Sequence, residues 1–208
     1  MIKNWDSFLM PYRQAVNELI VKLTSIQIQF QKTNDESSIE LVTGRVKSIN
    51  SIQEKMKRRH ITEENLENDM EDIAGLRIIC QFIDDIYKVA NILRNRNDIK
   101  ILEERDYINN SKPSGYRSYH IVIEYPIQLL NSEKKVLAEI QIRTMSMNFW
   151  STIEHSLSYK YNGSFPENVK KRLKHVAELS FKLDKEMSSI RKDIQTSEKL
   201  NNNKEKEI

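Results

Sequence analysis

Hydrophobic residues recur at three- and four-residue spacing near both ends of the chain, which predicts helices over residues 5–30 and 166–195. Between them, short apolar or alternating runs predict strands, with helical segments in the gaps. The strands are expected at 39–46, 73–82, 99–108, 116–125 and 135–144. Three helices are expected between or after them. The first runs from a cap at Ser48 or Asn50 to about His60, the second covers about 85–97, and the third covers 146–161. Asp84 is expected to cap the second of these helices, and a turn region containing Pro126 and Asn131-Ser132 is expected to join the last two strands.

This order predicts an α+β fold, with a mixed, mostly antiparallel sheet flanked by helices and extra helices at both ends. It divides the chain into an N-terminal helix and linker (1–38), a central domain (39–161), and a C-terminal helix with a flexible tail (162–208). The last helix carries an apolar stripe on a three-four repeat: Leu173, Val176, Leu183, Met187, Ile190 and Ile194. Such a stripe needs a partner, either the first helix or another subunit.

Glycine is scarce, with four residues in 208, whereas average usage is about 7%. The four glycines stand too far apart to form a G-x-G-x-x-G turn or a G-x-x-x-x-G-K-[ST] phosphate loop. If the chain binds nucleotides, it must therefore hold their phosphates with side chains.

Hydrophobic residues never occur more than three in a row, which argues against a signal peptide and a membrane span. The single cysteine, Cys80, leaves no internal disulfide and no multi-cysteine metal site. These features predict an intracellular protein, most simply a cytoplasmic one, with no membrane partner.

Charge is segregated along the chain, although the net charge is only +3. Residues 43–60 contain six cations and one acid, whereas residues 63–72 contain six acids and no cation. Two such blocks can neutralise each other on a solvated surface. A pocket that brought cations and carboxylates together would instead suit a polyphosphate and its divalent metal.

Two predicted strands carry unusual polar residues on one face, because side chains alternate between the faces of a strand. Together they would present Tyr116, Ser118, His120, Glu139, Gln141 and Arg143. This set differs from the lysines and glutamates of an ordinary solvated sheet. Asp72 stands just before a buried strand, and with Glu139 it could bind a hard divalent cation. Arg77 interrupts an apolar run, where an arginine is rare unless it is paired or engaged with a ligand.

Other catalytic classes find less support in the sequence. The four histidines show no metal-ligand spacing with each other or with cysteine, which argues against zinc. No His-Asp dipeptide occurs, which removes the simplest signature of an HD-type phosphohydrolase.

The polar positions fall within four longer motifs. These are Thr43-Gly-Arg-Val-Lys47, Asp72-Ile-Ala-Gly-Leu-Arg77, Ser114-Gly-Tyr-Arg-Ser-Tyr-His120 and Glu139-Ile-Gln-Ile-Arg-Thr144. In this order and spacing, followed by Asn148-Phe-Trp and Ile153-Glu-His155, they resemble the RelA/SpoT-type (p)ppGpp synthetases. The chain is most similar to the RelQ-type small alarmone synthetases, over about residues 4–195.

The resemblance implies a nucleotidyltransferase-like synthetase domain that moves the β,γ-pyrophosphate of ATP onto the 3′-hydroxyl of GDP or GTP and releases AMP, without hydrolase activity. Asp72 and Glu139 would bind Mg²⁺, and Glu139 would help to deprotonate the 3′-hydroxyl. Arg45 and Arg77 would sandwich adenine. The ATP phosphates would be held by Lys47, Ser51, Lys55 and Arg58.

For the acceptor nucleotide, the resemblance implies that Tyr116 stacks on guanine and that Asn148 reads its edge. The acceptor phosphates would be contacted by Arg105, Lys112 and His120, with Gln141 supporting the floor. The loop 109–115, with Gly115 as its hinge, would become ordered when the acceptor binds.

The same branch implies a homotetramer whose central cleft binds (p)ppGpp as an allosteric activator. The residues near that cleft would be Thr24, Leu41, Thr43 and Gly44. The family commonly has a lysine at the position of Thr24 and an aromatic residue at that of Leu41, so these departures weaken the expectation of activation more than that of catalysis.

Two alternative functions remain open from the residues alone. A single-stranded RNA-binding module could use the basic segment and the exposed aromatic residues, and an alarmone synthetase could also have RNA as a partner. Another nucleotidyltransferase could use a similar sheet, but it would release pyrophosphate instead of AMP. The identity of the product therefore separates these functions.

Overall fold

The structure is a computed structural model, and it describes residue 2 and residues 4–32, 39–161 and 165–205. Most of the predicted linker and the last three residues of the predicted tail lie outside the described residues. Within the described part, no helix is long and apolar enough to cross a membrane.

Helices and strands alternate through the described residues. In chain order they are α1 (Trp5–Lys32), β1 (Leu41–Val46), α2 (Ile49–Arg59), α3 (Leu66–Asp69), β2 (Ala74–Cys80), α4 (Ile83–Arg94), β3 (Lys100–Asp106), β4 (Tyr119–Gln128), β5 (Glu133–Thr144), α5 (Met145–Lys160) and α6 (Glu167–Glu205). All the predicted strands and long helices are present, which confirms the α+β class. The short helix α3 lies in the acidic segment, where the sequence predicts none.

The five strands form one sheet in the order β1-β2-β5-β4-β3. Strands β2 and β5 pair in parallel, and the other three pairings are antiparallel. This confirms the mixed, mostly antiparallel sheet. Strand β5 is the central strand, so its polar side chains have a neighbouring strand on each side.

Helix α1 packs closely on the sheet. Tyr12, Leu19 and Leu23 are fully buried, and burying a large apolar side chain contributes about 1.5–3 kcal/mol. At Gly44 in β1, an added Cβ would lie 2.8 Å from a methyl carbon of Val16 and 2.8 Å from one of Leu76. A larger residue at this position would force these packed side chains to shift, because the helix and the strand approach so closely.

Some predicted boundaries are wrong. Strand β4 begins at Tyr119 instead of residue 116, because Gly115 turns the chain with a φ of 88°. The turn that joins β4 to β5 contains the predicted Asn131-Ser132 and closes with a hydrogen bond from Leu129 N to Ser132 O (2.8 Å), whereas Pro126 lies inside β4. Proline is tolerated there because β4 has no β3 partner beyond Glu124.

The predicted capping residues have different outcomes. Ser48 caps α2, as predicted, by accepting a hydrogen bond from Ser51 N. Asp84 does not cap α4: the N-cap is Phe82, and Asp84 lies in the first helical turn. An acid in this position still interacts favourably with the helix dipole.

Helix α6 packs a partly polar face on the rest of the chain. Its buried Asp184 accepts hydrogen bonds from Thr144 Oγ1 (2.7 Å) and Ser146 Oγ (2.6 Å). The predicted stripe faces solvent instead, with Val176, Leu183, Met187, Ile190 and Ile194 all exposed. The helix continues to Glu205, beyond its predicted end near residue 195.

Candidate active site

One row of paired residues crosses all five strands. The register places Thr43 beside Arg77, Arg77 beside Gln141, Gln141 beside His120, and His120 beside Arg105. Two residues further along on the same face, a second row contains Arg45, Gly75 and Glu139. The polar floor predicted from the alternation of β5 is therefore present, and it is wider than the two strands from which it was inferred.

Two clefts open above this floor. The first has a volume of about 170 Å³, and its lining includes Arg45, Lys47, Asp72, Arg77 and Glu139. The second has a volume of about 310 Å³, and its lining includes Arg45, Lys47, Ser51, Lys55, Arg58 and His155. Arg45 and Lys47 line both clefts, so the two are adjoining. The six residues predicted to bind ATP all lie in this continuous region.

Arg45 and Arg77 stand diagonally across the β1–β2 pair, on either side of Gly75. A Cβ on Gly75 would meet only the carbonyl oxygen of Arg45 within 4 Å, at 3.7 Å, so the space directly above Gly75 is open. Arg77 Nε is buried without a hydrogen-bond partner. Burial lowers the pKa of Arg77, and the neighbouring cations Arg143 and Arg45 lower it further. This geometry leaves room for a planar group and a donor for an anion.

Asp72 is held by two lysines of the basic segment. Lys47 Nζ donates to one carboxylate oxygen over 2.7 Å, and Lys55 Nζ donates to the other over 2.8 Å. Burial raises the pKa of Asp72, but these two charged hydrogen bonds outweigh burial and lower the pKa below its usual value. The acidic and basic blocks of the sequence therefore meet in the cleft.

Glu139 on β5 is buried and receives two hydrogen bonds. His120 Nδ1 lies 2.9 Å from Oε1, and Gln141 Nε2 donates to Oε2 over 2.6 Å. Burial raises the pKa of Glu139 and the charge of Asp72 raises it further, but His120 and Gln141 lower it by more. The carboxylate is thus held in its ionised form and in a fixed orientation.

The donor set fits Mg²⁺. Asp72 and Glu139 line the same cleft and offer hard carboxylate oxygens, and Mg²⁺ is usually held by one or two carboxylates together with waters and substrate phosphates. No group of three or more metal-ligating side chains occurs among the described residues, so an all-protein cage is absent from this part of the chain.

An aromatic cluster lies beside Glu139. Tyr116 Oη is 2.8 Å from His120 Nε2, and the Tyr107 ring meets His120 edge to face at 5.1 Å. Lys112 Nζ lies 4.5 Å from the ring centre of Tyr107 and 5.0 Å from that of Tyr116. Burial and nearby arginines lower the pKa of Lys112, although Glu139 raises it. Tyr116 therefore contacts both His120 and Lys112, and all three were predicted to bind the acceptor.

The other residues predicted to bind the acceptor nucleotide differ in whether their side chains already have partners in the protein. Arg105 forms a bidentate ion pair with Glu71, at 2.8 Å for each bond, and a second pair with Glu103. These carboxylates raise the pKa of Arg105. Asn148 in α5, by contrast, has a buried Oδ1 with no hydrogen-bond partner.

The loop before β4 is anchored on α6. Gly115 has a positive φ, and a Cβ there would lie 2.6 Å from Cβ of Ala177. Arg117 donates to the carbonyl of Ile108 and stacks on Phe181, with 3.7 Å between the guanidinium carbon and the ring centre. The predicted hinge is thus also a packing position.

Thr24, Leu41, Thr43 and Gly44 lie on α1 and β1, which pack together. Leu41 and Thr43 are exposed on the strand, and Thr24 is half-buried on the helix. The four predicted allosteric positions therefore share one edge of the sheet.

Sequence reasoning missed some residues of the site. His155 lines the second cleft, and its spacing of seven from Asn148 on α5 could have indicated a shared helix face. Glu71 gave no such signal, because it lies in a segment where most residues are acidic. Tyr107 gave none either, because it lies just after an edge strand and outside any alternating pattern.

A sheet floor bordered by arginines, lysines and two carboxylates is typical of proteins that bind nucleotide phosphates. A family model for the region found in RelA/SpoT proteins matches residues 44–164. The chain is 53% identical to GTP pyrophosphokinase YjbM of Bacillus subtilis (strain 168) over 204 residues, which cover 98% of this chain and 96% of that protein.

Solved structures agree with this match. A GTP pyrophosphokinase family protein from Streptococcus pneumoniae is 56% identical, with a TM-score of 0.89 over 96% of this chain and 98% of that chain. The small alarmone synthetase 1 from Bacillus subtilis, bound to its product pppGpp, is 55% identical, with a TM-score of 0.89 over 92% of this chain and 98% of that chain. The chain belongs to the RelA/SpoT family, in its small alarmone synthetase branch.

Proposed function

We propose that this chain is a GTP pyrophosphokinase, which transfers the β,γ-pyrophosphate of ATP to the 3′-hydroxyl of GDP or GTP. The products are AMP and ppGpp or pppGpp. The observation that carries this proposal is the pair of adjoining clefts with Asp72 and Glu139 in the first and a set of cations in the second. Family membership does not favour the RNA-binding module or another nucleotidyltransferase.

ATP would bind across the two clefts. The adenine ring would lie between Arg45 and Arg77, in the open space above Gly75. The phosphates would extend towards the cations of the second cleft, which are Lys47, Lys55 and Arg58, with Ser51 as a further donor. Positioning and charge neutralisation of this kind are the main requirements of phosphoryl transfer.

Asp72 and Glu139 would hold Mg²⁺ beside the transferred phosphates, where the ion supplies further neutralisation of charge. Glu139 remains ionised, so it can accept a hydrogen bond from the 3′-hydroxyl and take its proton as the phosphorus–oxygen bond forms. Lys47 and Lys55 would exchange their bonds with Asp72 for bonds to phosphate when ATP arrives.

The acceptor would bind at the aromatic cluster. Guanine would stack on Tyr116, and the unpaired Oδ1 of Asn148 would accept a hydrogen bond from the donor edge of the base. Arg105, Lys112 and His120 would meet the acceptor phosphates, and Gln141 would support the floor. This arrangement would put the ribose near Glu139.

The test is nucleotide chromatography after incubation with ATP, GDP and Mg²⁺. The wild-type chain is expected to form AMP, whereas Glu139→Gln is expected to form none. Glu124→Gln is the matched control, because Glu124 lies on β4 and pairs with Lys100 and Lys135 outside the clefts. Full synthesis by Glu139→Gln would overturn the roles given to this residue.

We further propose that the chain acts in the cytoplasm as a homotetramer, with (p)ppGpp as an allosteric ligand near Thr24, Leu41, Thr43 and Gly44, and with single-stranded RNA as a further partner. The exposed stripe on α6 supports self-association. Light scattering should give four chains for the wild type and fewer for Leu183→Glu, with Lys182→Glu as the control for added negative charge. A wild-type chain that is monomeric at all concentrations would overturn this assembly.

A further inference from the structure

The loop 109–115 is tied at its start to one carboxylate, that of Asp106, the last residue of β3. Asp106 Oδ1 accepts hydrogen bonds from the backbone N–H groups of Ile108 (2.8 Å) and Asn109 (3.2 Å). Asp106 Oδ2 accepts from the side-chain amide of Asn109 (2.8 Å) and from the hydroxyl of Tyr87 (3.1 Å). Four donor groups, three from Ile108 and Asn109 and one from α4, therefore converge on a single side chain.

The carboxylate of Asp106 matches the four donors around it. An ionised carboxylate only accepts hydrogen bonds, and its two oxygens offer about four lone-pair sites. Burial raises the pKa of Asp106, but the hydrogen bonds from Asn109, Ile108 and Tyr87 lower it below its usual value. An asparagine would turn an NH2 group towards the amide of Asn109, which is itself a donor. The complete set of bonds therefore needs the charged side chain.

Asp106 lies on the face of the sheet opposite to the polar floor. Arg105, one residue earlier, pairs with His120 on the floor face, whereas Asp106 pairs with Tyr119, and side chains alternate between the two faces. On the Asp106 face, the ring of Tyr119 meets that of Tyr87 edge to face at 5.8 Å. Any effect of Asp106 on a nucleotide bound to the floor must therefore be indirect, through the backbone that follows it.

Tyr107, the residue directly after Asp106, forms one wall of the aromatic cluster. Its ring meets His120 at 5.1 Å, and Lys112 Nζ lies 4.5 Å from its centre. Its backbone N–H donates to Ser118 O (3.0 Å), which fixes it to the sheet on one side. On the other side, the bonds of Asp106 to the next two N–H groups fix the turn into the loop. A change at this carboxylate would therefore move Tyr107 and Lys112 together.

Other contacts hold different parts of the same segment. Arg117 donates to the carbonyl of Ile108, and Gly115 lies close to Ala177 of α6. These contacts fix one carbonyl and the far end of the loop, whereas the N–H groups at its start donate to Asp106. Loss of the carboxylate would thus release the start of the loop and leave its far end anchored.

We propose that Asp106 is a positioning residue that fixes Tyr107 and Lys112 for the acceptor nucleotide, with Tyr87 of α4 holding the carboxylate in place. This inference rests on the proposed function for its assignment of the acceptor to the aromatic cluster. The residues proposed to bind ATP lie on β1, β2 and α2, away from this loop. Binding of ATP should therefore not depend on Asp106.

The experiment measures, by calorimetry, the binding of GDP and separately of a non-hydrolysable ATP analogue, each with Mg²⁺. Asp106→Ala is expected to weaken GDP binding by about 5- to 30-fold, the equivalent of one or two hydrogen bonds, and to leave binding of the ATP analogue unchanged. Asp106→Asn, which keeps one oxygen for the two backbone N–H groups, is expected to restore part of the affinity. Hydrogen exchange of the free chain should be faster over residues 107–115 in Asp106→Ala.

Glu104→Gln is the matched control, because Glu104 lies on the same strand and face and pairs with Arg94 and Tyr119 outside the loop. It should leave GDP binding unchanged. Wild-type affinity for GDP in folded Asp106→Ala would overturn the proposal, as would an equal loss of affinity for both nucleotides.

If Asp106→Ala does not fold, the double variant Tyr87→Phe/Asn109→Ala gives the decision. It removes both donors to Oδ2 and keeps the two backbone bonds to Oδ1. This variant should weaken the binding of GDP and not that of the ATP analogue. Unchanged binding of GDP would overturn the proposal.

The positioning role and the enzymatic function fail in different ways. The binding and exchange measurements need no turnover, so GDP binding that depends on Asp106 in a chain that forms no AMP would contradict the enzymatic function alone. AMP formation by Asp106→Ala with a wild-type KM for GDP would contradict the positioning role alone.

Discussion

Lys47 and Asp72 are hydrogen-bonded to each other, with Nζ 2.7 Å from Oδ2, although one belongs to the phosphate-binding set and the other to the metal-binding pair. Lys55 makes the equivalent bond to Oδ1. Two cations around one acid leave a net positive charge, which attracts the phosphates of ATP. Without substrate, the same contacts hold all three side chains near their working positions.

Replacing Asp72 by asparagine should therefore affect both activity and stability. AMP formation should be abolished, and the free energy of unfolding should fall by about 1.5–3 kcal/mol because two charged hydrogen bonds lose their acceptor charge. Denaturant unfolding at neutral pH measures the second effect. An unchanged free energy of unfolding would show that the lysines do not depend on Asp72.

The stability difference between the wild type and Asp72→Asn should also depend on pH. The pKa of Asp72 is lower in the folded chain than in the unfolded chain, so its stabilising contribution is complete above the unfolded pKa of about 3.9 and is lost as the pH falls through the folded pKa. The difference in stability between wild type and Asp72→Asn should therefore shrink in acid. A difference that grew below pH ~4 would contradict the direction of the pKa shift.

Glu71→Gln should strengthen acceptor binding. The carboxylate of Glu71 forms a bidentate ion pair with the guanidinium group of Arg105. Removing the charge of Glu71 would free that guanidinium group to bind phosphate. A partly exposed ion pair is worth up to about 1 kcal/mol, so KM for GDP should fall by up to about fivefold while KM for ATP stays the same. Glu103→Gln is the control, since Glu103 is more exposed and should give a smaller effect. A higher KM for GDP in Glu71→Gln would mean that Glu71 positions Arg105 for binding instead.

Asn148→Ala should weaken the recognition of guanine. One hydrogen bond to a buried acceptor is worth about 1 kcal/mol, so kcat/KM for GDP should fall by roughly fivefold. Comparison with inosine diphosphate, which lacks the exocyclic amine, shows which donor the residue reads. If Asn148→Ala lowered kcat/KM for ATP and not for GDP, the assignment of the two nucleotide positions would be wrong.

Gly115→Ala should displace the loop that carries Lys112 and Tyr116. A non-glycine residue is strained at this positive φ, at a cost of about 1–3 kcal/mol, and the added methyl group would also meet Ala177. We expect a lower free energy of unfolding and a higher KM for GDP. Adding Ala177→Gly should relieve only the steric part, so a double variant with wild-type stability would show that backbone strain contributes nothing.

The strands and long helices could be predicted from the sequence because apolar spacing alone distinguishes them. The ends of elements could not, since they depend on local turns and on contacts distant in sequence: β4 begins at Tyr119 after Gly115 turns the chain close to Ala177 of α6. The turn at Asn131-Ser132 was predicted correctly, but Pro126 was wrongly included in it, because the length of β3 decides whether a proline fits in β4.

Site residues could be predicted from the sequence where side chains alternate between the two faces of a single strand. Glu139, Gln141 and Arg143 share a face for that reason, and the structure adds His120 beside Gln141. Spacing could not reveal the partners of Arg105 and Asp72, because Glu71 and Lys55 meet them through the packing of separate elements. The roles of these residues towards ATP, GDP and Mg²⁺ remain predictions.

The most direct measurement follows the phosphorus atoms of ATP labelled in the β and γ phosphates, in the presence of GDP. We predict that both labels move together to the 3′ position of the guanine nucleotide and that unlabelled AMP is released in equal amount. Release of labelled pyrophosphate, or the transfer of the γ label alone, would contradict a pyrophosphokinase.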